Sequence, residues 1–130
     1  MQKRILLVED NAHFREAFAR ALRRALASEQ LDLAFVEADS LAEARTRLLE
    51  GRLDAALIDV ALPDGDGLDL VREINDGGAS DRIPMLVLTA NLDHSVAARA
   101  VDAGAQGALS KVLSMPETVR AIKRLTDAEP

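Results

Sequence analysis

The sequence predicts an α/β fold, and three observations support this prediction. Strand-like and helix-like segments alternate five times along the 130 residues, a pattern typical of a parallel sheet joined by right-handed crossovers. The strand-like segments are short apolar runs, as expected of strands that are buried on both faces. Several of these runs end in a charged or hydroxyl-bearing residue, which would lie at the carboxyl edge of the sheet, where open α/β folds bind ligands.

Each predicted element has its own signal in the sequence. Short β-type runs predict strands at residues 5–8, 31–36, 55–58, 85–88 and 107–110. Apolar residues at helical spacing predict helices at residues 14–27, 41–50, 67–75, 92–103 and 116–125. Ser40 and Glu43 form a capping box ahead of the second helix, and Pro116 takes the first position of the last one. Three helices are predicted to stop at glycine, namely at Gly51, at Gly77 with Gly78, and at Gly104.

Length and composition describe one acidic domain without cysteine. We expect this domain to cover residues 1–125, with residues 126–130 as a C-terminal tail or the start of a linker. The apolar runs are far shorter than the roughly 18 residues that a membrane span needs. A net charge of −6 at pH 7 argues against nucleic-acid binding by this domain. The absence of cysteine excludes disulfides and thiolate metal sites, and it fits a cytoplasmic location.

The predicted strand order indicates where a ligand site would lie. A five-stranded, parallel, doubly wound sheet of this size commonly has the strand order 2-1-3-4-5, the flavodoxin-like (βα)5 arrangement with three layers. Its crevice lies at the switch point between the first and third strands. Glu9 and Asp10 follow the first predicted strand, and Asp59 follows the third. These carboxylates are therefore expected to meet at one edge of the sheet.

Two further polar residues follow strands at the same edge, Thr89 after the fourth strand and Lys111 after the fifth. Singly, each polar residue has a structural explanation, because Asp10 or Asn11 could cap the first helix and Asp59 could bind loop amides. Together, three carboxylates, a hydroxyl and an ammonium group at the ends of separate strands suit a cation and a phosphoryl group. The joint placement favours the functional interpretation.

A motif at the end of the third strand points to a known family. Its residues are Asp59, Leu62, Pro63, Asp66 and Gly67. The polar residues at the other strand ends complete the pattern, and these are Glu9, Asp10, Thr89 and Lys111. On these residues, the chain resembles the receiver domain of two-component response regulators, which are bacterial signalling proteins. The resemblance covers nearly the whole chain.

The resemblance implies a divalent cation, Mg²⁺ or Mn²⁺, at the acidic edge. In the family, the second acid of the pair and the aspartate of the third strand bind the metal directly, and here these are Asp10 and Asp59. The backbone carbonyl of Ala61 is implied as a third ligand, and Glu9 is implied to act through water. Mg²⁺ prefers oxygen ligands and commonly bridges carboxylates to a phosphate, which agrees with this set.

The resemblance also implies that Asp59 is the phospho-acceptor. It would take a phosphoryl group from a sensor histidine kinase or a histidine phosphotransfer protein and form an acyl phosphate. Lys111 is implied to add positive charge, and the Thr89 hydroxyl with the amides of Ala61 and Ala90 to add hydrogen bonds. The chain would then be a phosphoprotein that takes part in its own phosphorylation and dephosphorylation, rather than an enzyme.

In the family, phosphorylation changes the partner preference of the face formed by the fourth helix, the fifth strand and the fifth helix. A homodimer through this face is implied. This chain departs from the family at Ala108, where receivers usually carry tyrosine or phenylalanine. Val112 follows Lys111, where many receivers have proline. In this respect the chain is similar to the subgroup of receivers that precede a DNA-binding effector domain. The resemblance therefore implies such an effector domain as one partner.

Two alternatives remain open on the sequence. A degenerate receiver would act only as a protein-interaction module, and Ala108 is compatible with that role. A phosphatase with an aspartyl nucleophile would usually need a second aspartate two residues after Asp59, where this chain has Ala61.

Overall fold

The structure of the protein is a computed structural model that describes residues 2–77 and 83–127. This structure confirms the predicted α/β fold. The strands within these ranges are β1 Gln2–Val8, β2 Asp32–Ala38, β3 Ala55–Asp59, β4 Ala61–Leu62, β5 Gly65–Asp66, β6 Met85–Thr89 and β7 Gly107–Ser110. The helices are α1 Ala12–Ala27, α2 Leu41–Glu50, α3 Gly67–Asp76, α4 His94–Ala103 and α5 Met115–Thr126.

Five of the described strands form one parallel sheet in the order β2-β1-β3-β6-β7. This order confirms the predicted 2-1-3-4-5 arrangement, because β4 and β5 form a separate two-stranded hairpin outside the sheet. β1 and β3 pair directly, with Ile5 opposite Ala55 and Val8 opposite Ile58. The residues that follow these two strands therefore emerge at the same edge.

Two apolar clusters cover the two faces of the sheet and make three layers. On one face, α2, α3 and α4 pack with buried residues that include Ala44, Val71 and Ala100. On the other face, α1 and α5 pack with residues that include Leu22 and Ile122. No helix in the described ranges has both the length and the apolar character that crossing a membrane requires.

Helix boundaries differ from the predicted ones where a local cap decides them. α4 begins at His94 rather than at residue 92, because Asp93 is its N-cap and accepts a hydrogen bond from the Val96 amide at 2.9 Å. α3 ends at Asp76 with Gly77 as its C-cap, and Gly78, the other predicted stop, lies outside the described residues. At the C-terminus, α5 includes residue 126, and residues 128–130 of the predicted tail are outside the described part.

The sequence does not predict the β4–β5 hairpin, which ties the loop after β3 to α2. Asp64, at the turn of the hairpin, accepts hydrogen bonds from the amides of Leu41 at 2.8 Å and Ala42 at 3.0 Å. A carboxylate is stabilised there because the first amides of a helix lack partners within it. Gly65 has a φ of +152°, and a Cβ at this position would lie 2.7 Å from Leu41 Cδ1. The hairpin thus fixes the loop against the second helix.

Candidate functional site

Polar residues from four strand ends lie at the carboxyl edge of the sheet. Glu9 follows β1, Asp59 ends β3, Thr89 ends β6 and Lys111 follows β7. Lys111 Nζ lies 2.7 Å from Asp59 Oδ2, and it also forms an ion pair with Glu9 Oε1. Glu9 and Asp59 are only 1% and 3% exposed. One lysine therefore compensates the charge of two buried carboxylates.

Three carboxylates form a group that could hold a metal ion. One oxygen from each of Glu9, Asp10 and Asp59 lies within 4.8 Å of the others, and only Asp10 of the three is exposed. Glu9 Oε1 is buried and forms an ion pair with Lys111. An all-oxygen donor set of three carboxylates fits a hard divalent cation such as Mg²⁺ or Mn²⁺.

Asp59 is positioned by its own loop and by a close approach of α3. Its Oδ1 accepts a hydrogen bond from the Ala61 amide at 3.1 Å, while its Oδ2 faces Lys111. Gly67, the first residue of α3, lies against the Asp59 backbone, where a Cβ would be 1.9 Å from the Asp59 carbonyl oxygen. The Gly67 amide also donates a hydrogen bond to the Val60 carbonyl at 2.9 Å. Only glycine fits here, which explains its place in the motif.

Glu9 is positioned by backbone contacts from β2 and α1. Its amide donates to the Ala38 carbonyl at 2.9 Å, and its Oε2 accepts from the Asn11 amide at 2.9 Å. Asn11, rather than Asp10, is the N-cap of α1, since Asn11 Oδ1 accepts from the Phe14 amide at 3.0 Å. Asp10 therefore has no part in the cap, although its position in the sequence is compatible with one.

Arg15 belongs to the site, and sequence reasoning missed it. Its Nη1 donates to the Glu9 carbonyl at 2.7 Å, and its Nε donates to Glu37 Oε1 at 2.7 Å. The Arg15 side chain is only 15% exposed. Arg15 thus joins the end of β1 to β2 and holds the backbone between the two acids of the pair. In the sequence it is one of several arginines of α1, and only its place one turn after the cap distinguishes it.

The pKa values of two site residues depart from their ordinary values. Burial, together with the nearby charge of Asp59, raises the pKa of the Glu9 carboxyl, and the opposing effects of Lys111 and the Asn11 amide offset this only in part. Burial alone would lower the pKa of Lys111, but the hydrogen bonds and charges of Asp59 and Glu9 outweigh that effect and raise it. Lys111 is therefore a cation at neutral pH.

Thr89 lies on β6, one residue beyond Leu88, which pairs with Asp59. It is 4% exposed, and its Oγ1 accepts a hydrogen bond from the Asn91 amide at 3.2 Å. Its carbonyl accepts a hydrogen bond from the Lys111 amide at 2.9 Å. The structure thus brings Thr89 to the same edge, next to the strand of Asp59. Ala90, which follows β6, and Ala61, the first residue of β4, are exposed.

The face formed by α4, β7 and α5 is open beside Ala108. This residue lies on β7, the last strand of the sheet, and is half-buried. A cleft of about 350 Å³ lies between β7 and α5, and its lining includes Ala108, Arg120 and Arg124. On α4, Val101 is 55% exposed. We call this surface the α4–β7–α5 face.

The chain is similar to known proteins along most of its length. Residues 5–123 match the family model of the response regulator receiver domain. The swarming motility regulation protein RssB of Serratia marcescens is 35% identical over 119 residues, which make up 92% of this chain and 51% of that protein. The chain thus spans about half the length of the curated relatives it matches.

Solved structures share the fold. A response regulator from Chloroflexus aurantiacus superposes with a TM-score of 0.83 and 28% identity, over 97% of this chain and 98% of that one. A response regulator protein from Burkholderia pseudomallei, solved with a phosphorylated aspartic acid, a calcium ion and citrate, superposes with a TM-score of 0.72 and 26% identity, over 97% of this chain and 67% of that one. The strand order, the acidic edge and the family match agree, and this chain belongs to the response regulator receiver domain family.

Proposed function

We propose that this domain accepts a phosphoryl group on Asp59 as a step in two-component signalling. The observation that carries the proposal is the contact of 2.7 Å between Lys111 Nζ and Asp59 Oδ2, beside the carboxylates of Glu9 and Asp10. Such a carboxylate can attack a phosphoryl group, because Lys111 on one side and a cation held by the acidic residues on the other would neutralise the phosphoryl oxygens. Family membership supports the proposal, as does the phosphorylated aspartic acid of the B. pseudomallei regulator.

In the proposed step, an Asp59 carboxylate oxygen attacks the phosphorus of a phosphohistidine on a sensor kinase or a phosphotransfer protein. The P–N bond breaks as the P–O bond forms, and the imidazole leaves with the electron pair. Lys111 would pair with a phosphoryl oxygen, while the Thr89 hydroxyl and the amides of Ala61 and Ala90 would donate hydrogen bonds to the others. Later hydrolysis of the acyl phosphate would end the signal.

We further propose that Mg²⁺ or Mn²⁺ binds at the acidic group. Asp10 and Asp59 would bind it directly together with the backbone carbonyl of Ala61, and Glu9 would act through water. The cation, when bound, supplies charge neutralisation at the phosphoryl oxygens. The calcium ion in the B. pseudomallei regulator agrees with a divalent cation in a protein of this fold.

Two other functions fit the site less well. A phosphatase with an aspartyl nucleophile needs a general acid close to it, and the residue two positions after Asp59 is Ala61. A receiver that only binds partners would not need two buried carboxylates around Lys111, because burying these charges costs free energy. We therefore favour a phospho-acceptor that works in the cytoplasm, as response regulators generally do, over an enzyme that acts on other molecules.

The α4–β7–α5 face is the proposed output surface, and phosphorylation would favour a homodimer through it. Val101 offers an exposed apolar contact there. Asp102 on α4 is exposed, and Arg120 and Arg124 of α5 line the cleft, so opposite charges could pair across a two-fold axis.

Because the relatives are about twice as long as the matched region, we propose a DNA-binding effector domain as a further partner.

Incubation with phosphoramidate and Mg²⁺ tests the proposal. Intact mass spectrometry should show one added phosphoryl group that hydroxylamine removes. Asp59→Asn should not gain the group, whereas Asp69→Asn, at an exposed position of α3, should gain it as the wild-type chain does. Labelling of Asp59→Asn equal to wild type, or no labelling of wild type, would contradict the proposal.

Light scattering with and without beryllofluoride tests the proposed homodimer. Beryllofluoride should raise the measured mass, and an unchanged mass would argue against the homodimer.

A further inference from the structure

Lys111 has a third neighbour besides the two carboxylates. Its Nζ lies over the ring of Phe14, 5.1 Å from the ring centroid. A cation within about 6 Å of the centroid is attracted by the negative face of an aromatic ring, and more strongly where water is excluded. The Lys111 side chain is 18% exposed, so little water reaches this contact. Phe14 therefore forms one wall of the space that the ammonium group occupies.

The protein core, and not Lys111, holds the Phe14 ring in place. The ring stacks on Phe18 with the centroids 5.2 Å apart and 20° between the planes. Phe18 is 9% exposed and belongs to the apolar cluster under α1. At the backbone, the Phe14 amide donates to Asn11 Oδ1, while the Asn11 amide donates to Glu9 Oε2. The residue that caps α1 thus fixes both Phe14 and Glu9, the two flanks of the ammonium group.

The position of Phe14 does not need an aromatic residue for packing alone. The chain has three phenylalanines and no tyrosine or tryptophan, and most buried positions of the same cluster hold leucine, isoleucine, valine or alanine. Leucine would continue the helical pattern of α1 and would also cover the core. Leucine, however, has no negative face. What the Phe14 ring adds beyond packing is therefore its attraction for the cation.

We propose that Phe14 is a positioning residue that holds the ammonium group of Lys111 toward Asp59 for phosphoryl transfer. This inference rests on the proposed function of Asp59. A lysine side chain has a flexible four-carbon stem and a strongly hydrated ammonium group. With Glu9 on one flank and the ring on another, that group stays partly dehydrated and aimed at Asp59 Oδ2. The positive charge is then in place before the phosphoryl oxygens arrive, which lowers the cost of reorganisation.

Substitutions separate the ring face from the volume of the side chain. Phe14→Leu keeps an apolar side chain and removes the ring, whereas Phe14→Tyr keeps the ring. Phe35→Leu, at a half-buried position of β2 in the same apolar cluster, is the matched control. We expect Phe14→Leu to slow phosphorylation by phosphoramidate about two- to fivefold. Phe14→Tyr and Phe35→Leu should react at rates close to wild type.

A spectroscopic signal reports the contact without any phosphorylation. Protons above an aromatic ring resonate upfield, so the Lys111 Hε signals of the unphosphorylated wild type should lie upfield of those in Phe14→Leu. Phe14→Tyr should restore the upfield position. Where leucine disturbs folding, a ring-fluorinated phenylalanine at position 14 keeps the shape of the ring and weakens its negative face, and it should slow phosphorylation as well.

The outcomes separate this inference from the proposed function. Lys111 signals that do not move in Phe14→Leu would overturn the inference, and so would wild-type rates in both Phe14→Leu and the fluorinated protein. A loss of rate in Phe35→Leu as large as that in Phe14→Leu would assign the effect to the core and would also overturn it. A wild-type chain that takes up no phosphoryl group would overturn the proposed function instead, and the Lys111 signals would still decide whether the ring holds the ammonium group.

Discussion

Lys111 Nζ and Asp59 Oδ2 lie 2.7 Å apart, although the two residues are 52 positions apart in the chain. The contact forms because β3 and β7 both end at the carboxyl edge of the parallel sheet, with β6 between them. Lys111 also pairs with Glu9, and both of its acidic partners are buried. The lysine therefore supports the stability of the domain as well as the proposed chemistry.

Lys111→Met should lower the free energy of unfolding by about 3 kcal/mol in metal-free buffer, because it leaves buried carboxylates without a compensating charge. Lys123→Met is the matched control. Lys123 pairs with Glu29 at the surface, where the two side chains are 44% and 40% exposed. Loss of such an exposed pair should cost less than about 1 kcal/mol. Urea unfolding measures the free energy of unfolding of both variants. An equal loss in Lys111→Met and Lys123→Met would contradict a structural role for the buried ion pairs of Lys111.

Asp10→Ala should weaken Mg²⁺ binding by at least about tenfold, because it removes a proposed direct ligand. It should also raise the thermal midpoint in metal-free buffer, since the carboxylates of Glu9, Asp10 and Asp59 lie close together and repel one another. Glu9→Gln should have the milder effect on affinity, because a group that acts through water is easier to replace.

Calorimetric titration with Mg²⁺ and thermal unfolding check these expectations. Asp32→Ala is the control, since Asp32 is exposed at the start of β2, at the opposite edge of the sheet. Its metal affinity should equal that of the wild type. An unchanged affinity in Asp10→Ala would show that this carboxylate is not a ligand.

Gly67→Ala should destabilise the domain by about 2 kcal/mol, because overpacking at a well-filled site forces the backbone to move. The added Cβ would start 1.9 Å from the Asp59 carbonyl oxygen. The shift would displace Asp59, so phosphorylation by phosphoramidate should also slow. Gly107→Ala is the control, because the nearest atom to its Cβ would be 3.9 Å away. A Gly67→Ala protein as stable as Gly107→Ala would contradict the close approach of α3.

Asp64 should make stability depend on pH in the acid range. Hydrogen bonds from the amides of Leu41 and Ala42 hold the pKa of the Asp64 carboxyl below its ordinary value. Because the pKa is lower in the folded state, the stabilisation is complete above the ordinary aspartate pKa of about 3.9 and is lost as the pH falls toward the folded value. Asp64→Ala should therefore be less stable than wild type near neutral pH, and the difference should narrow below about pH 4.

Urea unfolding near neutral pH and near pH 3 checks this dependence on both sides of the ordinary pKa. Asp69→Ala, at an exposed position of α3, controls for the loss of one negative charge. A difference between Asp64→Ala and wild type that stays constant over this range would mean that the hydrogen bonds to α2 do not depend on the charge of Asp64.

The ends of the strands could be predicted because each depends on a local pattern. An apolar run followed by a polar residue marks the end of β1 before Glu9 and the end of β3 at Asp59. Parallel pairing of β1 with β3 then brings these ends to one edge, as the strand order of this fold class predicts. The acidic group could therefore be expected before its geometry was known.

The contacts that hold the site in place could not be predicted in the same way. Asp64 reaches Leu41 across 23 positions of the chain, and Phe14 of α1 meets Lys111 at the other end of the sequence. Helical spacing identifies Phe14 only as an apolar residue, and turn composition identifies Asp64 only as a loop residue. Their partners are decided by how separate elements pack, for which local spacing carries no signal.

Chemical mapping of the phosphorylated residue shows directly whether Asp59 carries the phosphoryl group. Borohydride reduces an acyl phosphate to an alcohol and so converts a phosphorylated aspartate into homoserine. After incubation with phosphoramidate and Mg²⁺, reduction and peptide mass mapping should find homoserine at position 59, and none when Mg²⁺ is withheld. Homoserine at Asp10 or at any other aspartate, with position 59 unmodified, would contradict phosphoryl transfer to Asp59.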